Sequence, residues 1–154
     1  MNISEWKISE FSKANGEKFS PLDFLHAVTT KVSLPADFFV CIGNLFFPRF
    51  ALFDGVVTVA DWFDEKKYQE YRINGMAEDQ AQAWANLVEI TDVLNGISYE
   101  KAKEIAICIV ELWRERVRIQ FPGAEWQVNH IFDDDAEEVF VTMGRFSSGE
   151  GIGP

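Results

Sequence analysis

A chain of 154 residues with 14 Lys and Arg against 25 Asp and Glu carries a formal net charge of −11 and an isoelectric point near 4.6. That excess repels nucleic-acid phosphates and anionic lipid alike, which disfavours direct binding to either and makes a basic protein surface the natural complement. With 47% hydrophobic residues, 14 Phe and 5 Trp, the composition is far from that of disordered chains and suffices for the core of one domain.

The segment Met1 to Ser12 alternates polar residues with Ile3, Trp6, Ile8 and Phe11 and lacks the apolar stretch of a signal peptide. The longest apolar run, Phe38 to Phe47, is broken by Gly43 and Asn44, short of the about 20 residues that a membrane span needs. A cytoplasmic protein without membrane contact is expected. Cys41 and Cys108 both lie inside apolar runs and read as reduced, buried hydrophobes.

Ser20, Pro21 and Asp23 form a helix start, with a hydroxyl N-cap, proline at the first helical position and a carboxylate at the positive end of the dipole, predicting a helix from Pro21 to about Val32. Beyond Pro35 the chain turns rich in Phe, Val and Ile, and strands are expected to begin there. Arg49 to Phe53 and Val56 to Ala60 flank Asp54-Gly55, a pair that supplies the positive φ angles of a tight hairpin. Asp61 reads as the cap of a helix with Asp64 and Glu65 in its first turn, Tyr68 and Tyr71 further along, and Asn74-Gly75 at its end.

A helix from about Ala77 to Leu94 follows, with Ala81, Trp84, Ala85, Val88 and Thr91 at three-and-four spacing and Asn95-Gly96 as its stop. Ser98 opens the longest helix, to about Gln120, whose apolar stripe runs through Ala102, Ile105, Ala106, Ile109, Leu112, Trp113 and Val117. After Pro122-Gly123, two alternating segments, Glu125 to Phe132 and Glu138 to Phe146, read as a second hairpin. Residues 147–154 read as a flexible tail, because no helix follows Gly149, Gly151 and Gly153 to offer its N-terminus to a phosphate. Segregated strands and helices without a linker predict one α+β domain over 1–146, an antiparallel sheet with helices packed on one face.

The succession Leu34-Pro35, Phe38-Phe39, Leu45-Phe46-Phe47-Pro48-Arg49-Phe50, Asp54-Gly55, Trp113-Arg114, Phe121-Pro122 and Trp126 resembles small bacterial proteins of the toxin-immunity type over roughly Leu34 to Phe146. The resemblance implies a cytosolic, acidic, non-catalytic protector and carries no functional residue across.

Catalytic and metal chemistry find few candidates. His26 has no second ligand one helical turn away, and His130 is in phase with Trp126, Val128 and Phe132, which places it on a core-facing side. No cofactor, metal or catalytic residue is expected. Glu100 to Lys103 and Glu111 to Arg114 fit i,i+3 pairing on the flank of the long helix. The run Asp133, Asp134, Asp135, Glu137 and Glu138 lacks the Asp-x-Asp-x-Asp-Gly spacing of a calcium loop. It is the leading candidate for a partner-binding surface.

Steering charges accelerate encounter, while buried aromatic anchors set the lifetime of a complex. Trp62, Phe63, Tyr68 and Tyr71, beside Asp61, Asp64 and Glu65, are the candidate anchors, Trp62 and Tyr71 foremost. The expected function is an acidic binding protein that neutralises a basic partner, an immunity protein occluding the active site of a nuclease-type toxin. A nucleic-acid mimic that blocks a DNA- or RNA-binding enzyme is the alternative, and a small hydrolase using His130 and a carboxylate is a third reading.

Overall fold

The structure, a computed structural model, describes residues 2–16, 18–123 and 127–146. The expected tail, residues 147–154, and Glu125 and Trp126 of the last predicted segments lie outside the described residues. The fold is of the α+β class. The chain divides into two units, Met1–Cys41 and Ile42–Pro154.

In the first unit a 3-10 turn at Ile3–Glu5 precedes α1, Ile8–Asn15, which has no counterpart among the predicted elements, and α2, Pro21–Thr29. The helix start at Ser20 forms as a capping box. Ser20 Oγ accepts the Asp23 N–H at 3.2 Å, and Asp23 Oδ2 accepts the Ser20 N–H at 2.7 Å. The Ser20 N–H and hydroxyl, both donating to Asp23 Oδ2, hold the Asp23 carboxyl below its ordinary value. Phe11 gathers the rings of Trp6, Phe19 and Phe24 at 5.1 to 5.6 Å between centroids.

Ala36–Phe46 is a helix, α3, where strands were expected to begin. Pro35 stands just outside the first helical position, where its missing N–H costs nothing, and Asp37 sits at the favoured end of the dipole. Phe38, Ile42, Leu45 and Phe46 then recur at three-and-four spacing, a period that wins over the β-propensity of the individual residues.

In the second unit β1, Phe50–Phe53, and β2, Val56–Val59, form the hairpin that Asp54-Gly55 predicts, with φ of 50° and 82° at the two turn residues. The helix after it, α4, Glu65–Ile73, is capped by Asp64, whose carboxylate accepts the Lys67 N–H at 3.0 Å, and not by Asp61. Asp61 is three residues too early because the Trp62 and Phe63 N–H groups still bond back to the Val59 carbonyl.

The single helix expected over Ala77 to Leu94 is three elements. These are α5, Glu78–Ala85, the short strand β3, Val88–Glu89, and α6, Ile90–Val93. The break falls at Asn86, whose side-chain amide serves backbone groups on β2 and β5. The long helix, α7, Tyr99–Gln120, starts on the Ser98 cap as predicted.

β4, Val128–Asp133, and β5, Glu138–Met143, complete a three-stranded antiparallel sheet of order β3-β5-β4. Stripe residues Ala102, Ala106, Ile109, Trp113 and Val117 bury against Val128, Val139, Val141 and Met143 on one face of that sheet. On the other face Thr142 Oγ1 donates to the Ala83 carbonyl of α5. Trp113 also donates Nε1–H to the Leu45 carbonyl at 2.9 Å. A second, smaller cluster joins Val56, Tyr68, Ala81 and Ala85.

Candidate functional site

The acidic run forms the turn of the β4–β5 hairpin. Asp133 and Glu138 pair across its base, and the register is unbroken from there to Val128 and Met143. Asp133 Oδ1 accepts the N–H groups of Asp135 and Ala136 at 3.1 and 3.0 Å, folding the loop over its own first residue. Glu137 takes the left-handed conformation, φ 55°, which costs a non-glycine residue about 1 kcal/mol. Asp134 Oδ1 accepts the Tyr99 hydroxyl at 2.6 Å, tying the turn to the first residue of α7. That bond pushes the Tyr99 phenol up to about 12.

No lysine or arginine forms an ion pair with any of the five carboxylates among the described residues. The two lysines in the first turns of α7, the end that Tyr99 joins to this turn, are engaged within that helix, Lys101 with Glu104 at 2.6 Å and Lys103 with Glu100 at 2.8 Å. Lys103 Nζ also lies 4.6 Å from the centroid of the Tyr99 ring. α6 brings further acidic character to this end, because Thr91 Oγ1 accepts the Val139 N–H at 3.2 Å and Asp92 is its neighbour. Residues 1–41 hold five carboxylates and four lysines, a net −1, so −10 of the −11 belongs to the second unit. The five carboxylates of the acidic run lie together at the turn of one hairpin.

The second group of candidates is arranged differently. Asp61 stands 3.5 Å from the Arg49 guanidinium. Asp64 is occupied as a helix cap, and Glu65 is exposed beside it. Trp62 is half-buried against Trp113 at 6.0 Å, with its Nε1–H buried and unpartnered among the described residues. Tyr68 is fully buried, Phe63 packs against it, and Tyr71 is half-buried over the same cluster. Burial pushes the Tyr68 phenol up. These aromatics are packing residues first, with Trp62, Phe63 and Tyr71 each only partly reaching solvent.

The two groups do not meet along α7. Asp134 touches that helix at Tyr99 and Trp62 touches it at Trp113, which at 1.5 Å per residue is about 21 Å further along. Of the predicted charge pairs, Glu100 with Lys103 forms, but Arg114 turns instead to the Val128 carbonyl, at 2.9 and 3.3 Å.

His130 differs from its expected place. It shares a face with Val128 and Phe132, as its phase requires, yet it is exposed and stacks on the Phe132 ring at 4.5 Å, because β4 is the outermost strand. It has no hydrogen bond to a carboxylate among the described residues. Cys41 and Cys108 are likewise exposed and free, on the outer sides of α3 and α7. Among the described residues no three His, Cys, Asp or Glu side chains gather as a metal site would require. No helix there is long and apolar enough to cross a membrane. A cleft of about 320 Å³ lies between the start of α5 and the end of β5, lined by Glu78, Asp79, Gln82, Gln127 and Arg145.

Reasoning from sequence missed Asp92, and it missed the open side of β4 with the half-exposed Ile107 of α7 near it. The signal available was the composition of Val128 to Asp133, a strand without Lys, Pro or Gly. No family model, no curated protein and no solved structure matches this chain.

Proposed function

We propose that this chain binds and neutralises a basic protein partner, and that the partner is a bacterial toxin domain of nuclease type whose cationic cleft the acidic hairpin occludes. One observation carries the reading. Five carboxylates sit on a turn held by the Asp133 loop bonds and by Tyr99, and none has a cationic partner among the described residues.

Carboxylates that repel one another and lack internal counter-charges cost stability, and a cationic partner removes that cost. A fixed turn also loses little freedom on docking. Carboxylate oxygens can stand where the phosphate of a nuclease substrate would sit, taking bidentate contacts from arginine. Electrostatic steering of this kind raises association toward about 10⁸–10⁹ M⁻¹s⁻¹ at low salt, a useful speed for an inhibitor that must reach a toxin before its substrate does.

The test mixes the purified chain with the product of the adjacent gene and follows association by stopped flow. Replacing Asp133, Asp134 and Asp135 together by Asn is expected to slow association about ten-fold or more at low salt and to flatten its salt dependence. Association indifferent to both the substitutions and the salt removes the reading.

A further inference from the structure

Which backbone groups of β4 point outward follows from bonds at both ends of the sheet. Gly144 N–H donates to the Gln127 carbonyl at 2.9 Å, so the β4–β5 ladder uses Asn129, Ile131 and Asp133, while Val128, His130 and Phe132 turn away. β5 agrees, since Val139 N–H meets Thr91 and the Met143 carbonyl meets Asn86 on its opposite side. Arg114 covers the Val128 carbonyl. The N–H and C=O groups of His130 and Phe132 have no partner among the described residues.

The other edges of this unit are shorter and partly covered, although the backbone of Leu52 on the four-residue β1 also turns outward. Gln120 holds both the N–H and the C=O of Phe50 on β1, at 3.0 and 3.3 Å. Gln82 and Asn86 cover Val57 and Val59 on β2. β3 is two residues long and runs straight into α6. Exposed edges are ordinarily blunted by lysine, proline, a bulge or shortness. β4 is six residues long, carries neither lysine nor proline, and keeps unbroken register.

α7 runs beside this edge. Lys103 Nζ lies 5.9 Å from the centroid of the Phe132 ring and Arg114 reaches Val128, so Ile107, between them on one helical stripe and 44% exposed, stands alongside the His130 stretch.

We propose that the partner docks by laying an extended, basic segment on the outer edge of β4 as a fourth strand. Its backbone pairs with His130 and Phe132, its apolar side chains cover Ile107 and the stacked His130 and Phe132 rings, and its Lys or Arg side chains meet Asp133 to Glu138. Charge selects this occupant over a second copy of the chain, which would bring another −11 to the same place. Of the cations bordering the edge, Lys103 is paired with Glu100, and Arg114 lies at the Val128 end, the far end of β4 from the acidic turn.

The inference rests on the proposed function and names how that contact is made, and the experiment separates the two. The probe is an octapeptide alternating valine and lysine, with an octapeptide alternating proline and lysine as the control of equal charge. Amide exchange and chemical shifts of the full chain are followed by NMR. Binding of the valine–lysine peptide that slows the His130 and Phe132 amides by about ten-fold, with no such slowing by the proline–lysine peptide, is the expected result.

His130→Pro removes an N–H that the β4–β5 ladder does not use and is expected to abolish the protection. Ile107→Asn, which leaves the backbone intact, is expected to weaken binding about ten-fold. Equal binding of both peptides without protection overturns the added strand and leaves the electrostatic reading standing. Failure of both peptides to bind at low salt overturns both. Protection that rises with protein concentration in the absence of peptide assigns the edge to a second copy and overturns the basic occupant.

Discussion

The side chain of Asn86 accepts the Val59 N–H at 2.9 Å while fully buried, and its amide nitrogen donates to the carbonyls of Val57 and Met143. One residue thereby ties the β1–β2 ribbon to the three-stranded sheet. Asn86→Ala leaves the Val59 N–H and the Met143 carbonyl buried without these partners, each loss worth about 1–3 kcal/mol, so a total near 3 kcal/mol is expected. Urea denaturation should show a lower midpoint with an unchanged slope.

Gly144, just past β5, has φ 124°, and a Cβ there would lie 2.5 Å from the Ala83 nitrogen and 2.6 Å from the Asp79 carbonyl oxygen. Both neighbours are backbone and cannot step aside. Gly144→Ala is expected to cost about 3 kcal/mol or more, read as a fall in the midpoint of thermal or urea unfolding. Gly75→Ala, also at positive φ but with open space around it, should cost less.

Glu137→Gly removes the left-handed strain at the acidic turn and is expected to raise stability by about 0.5–1 kcal/mol. It also deletes one of the five carboxylates, so stability and partner association should move in opposite directions. Parallel measurement of urea midpoint and association rate checks this.

Tyr99 ionises near pH 12, against 10.0 for a free phenol, because its hydrogen bond to Asp134 favours the protonated form. A folded value above the unfolded one means that this bond's contribution is complete below pH 10 and fades as pH rises through 12. Ultraviolet titration of the phenolate band should show Tyr99 late in the wild type, beside Tyr68, which burial also raises. Asp134→Asn should bring Tyr99 down toward the ordinary range.

Elements with local causes were legible in the sequence. Ser20-Pro21 with Asp23, Asp54-Gly55 and Ser98 each act within three residues, and each appears where its chemistry places it. The acidic hairpin was legible for the same reason, because its two strands adjoin in the chain. The helix at Ala36 was hidden by residues with high β-propensity whose spacing is helical, and the break at Asn86 was hidden because the amide's partners are 27, 29 and 57 residues away. His130 illustrates the limit of periodicity. Alternation assigns a face, but the order β3-β5-β4 decides whether that face is covered. Trp62 and Tyr68 were offered as anchors because nothing in the sequence distinguishes an aromatic facing Trp113 or Ala81 from one facing solvent.

The grip of Gln120 on Phe50 reaches across 70 residues. At about 5–20 residues per second of synthesis, roughly 4–14 s separate the two on the ribosome. During that interval the nascent β1–β2 ribbon is complete in sequence but raw along one side, with Phe50 among the groups it offers to any passing chain. The last residue of α7 is thus a latch that arrives late, and translation speed through α4 to α7 sets how long a chaperone must shelter what it will eventually seal.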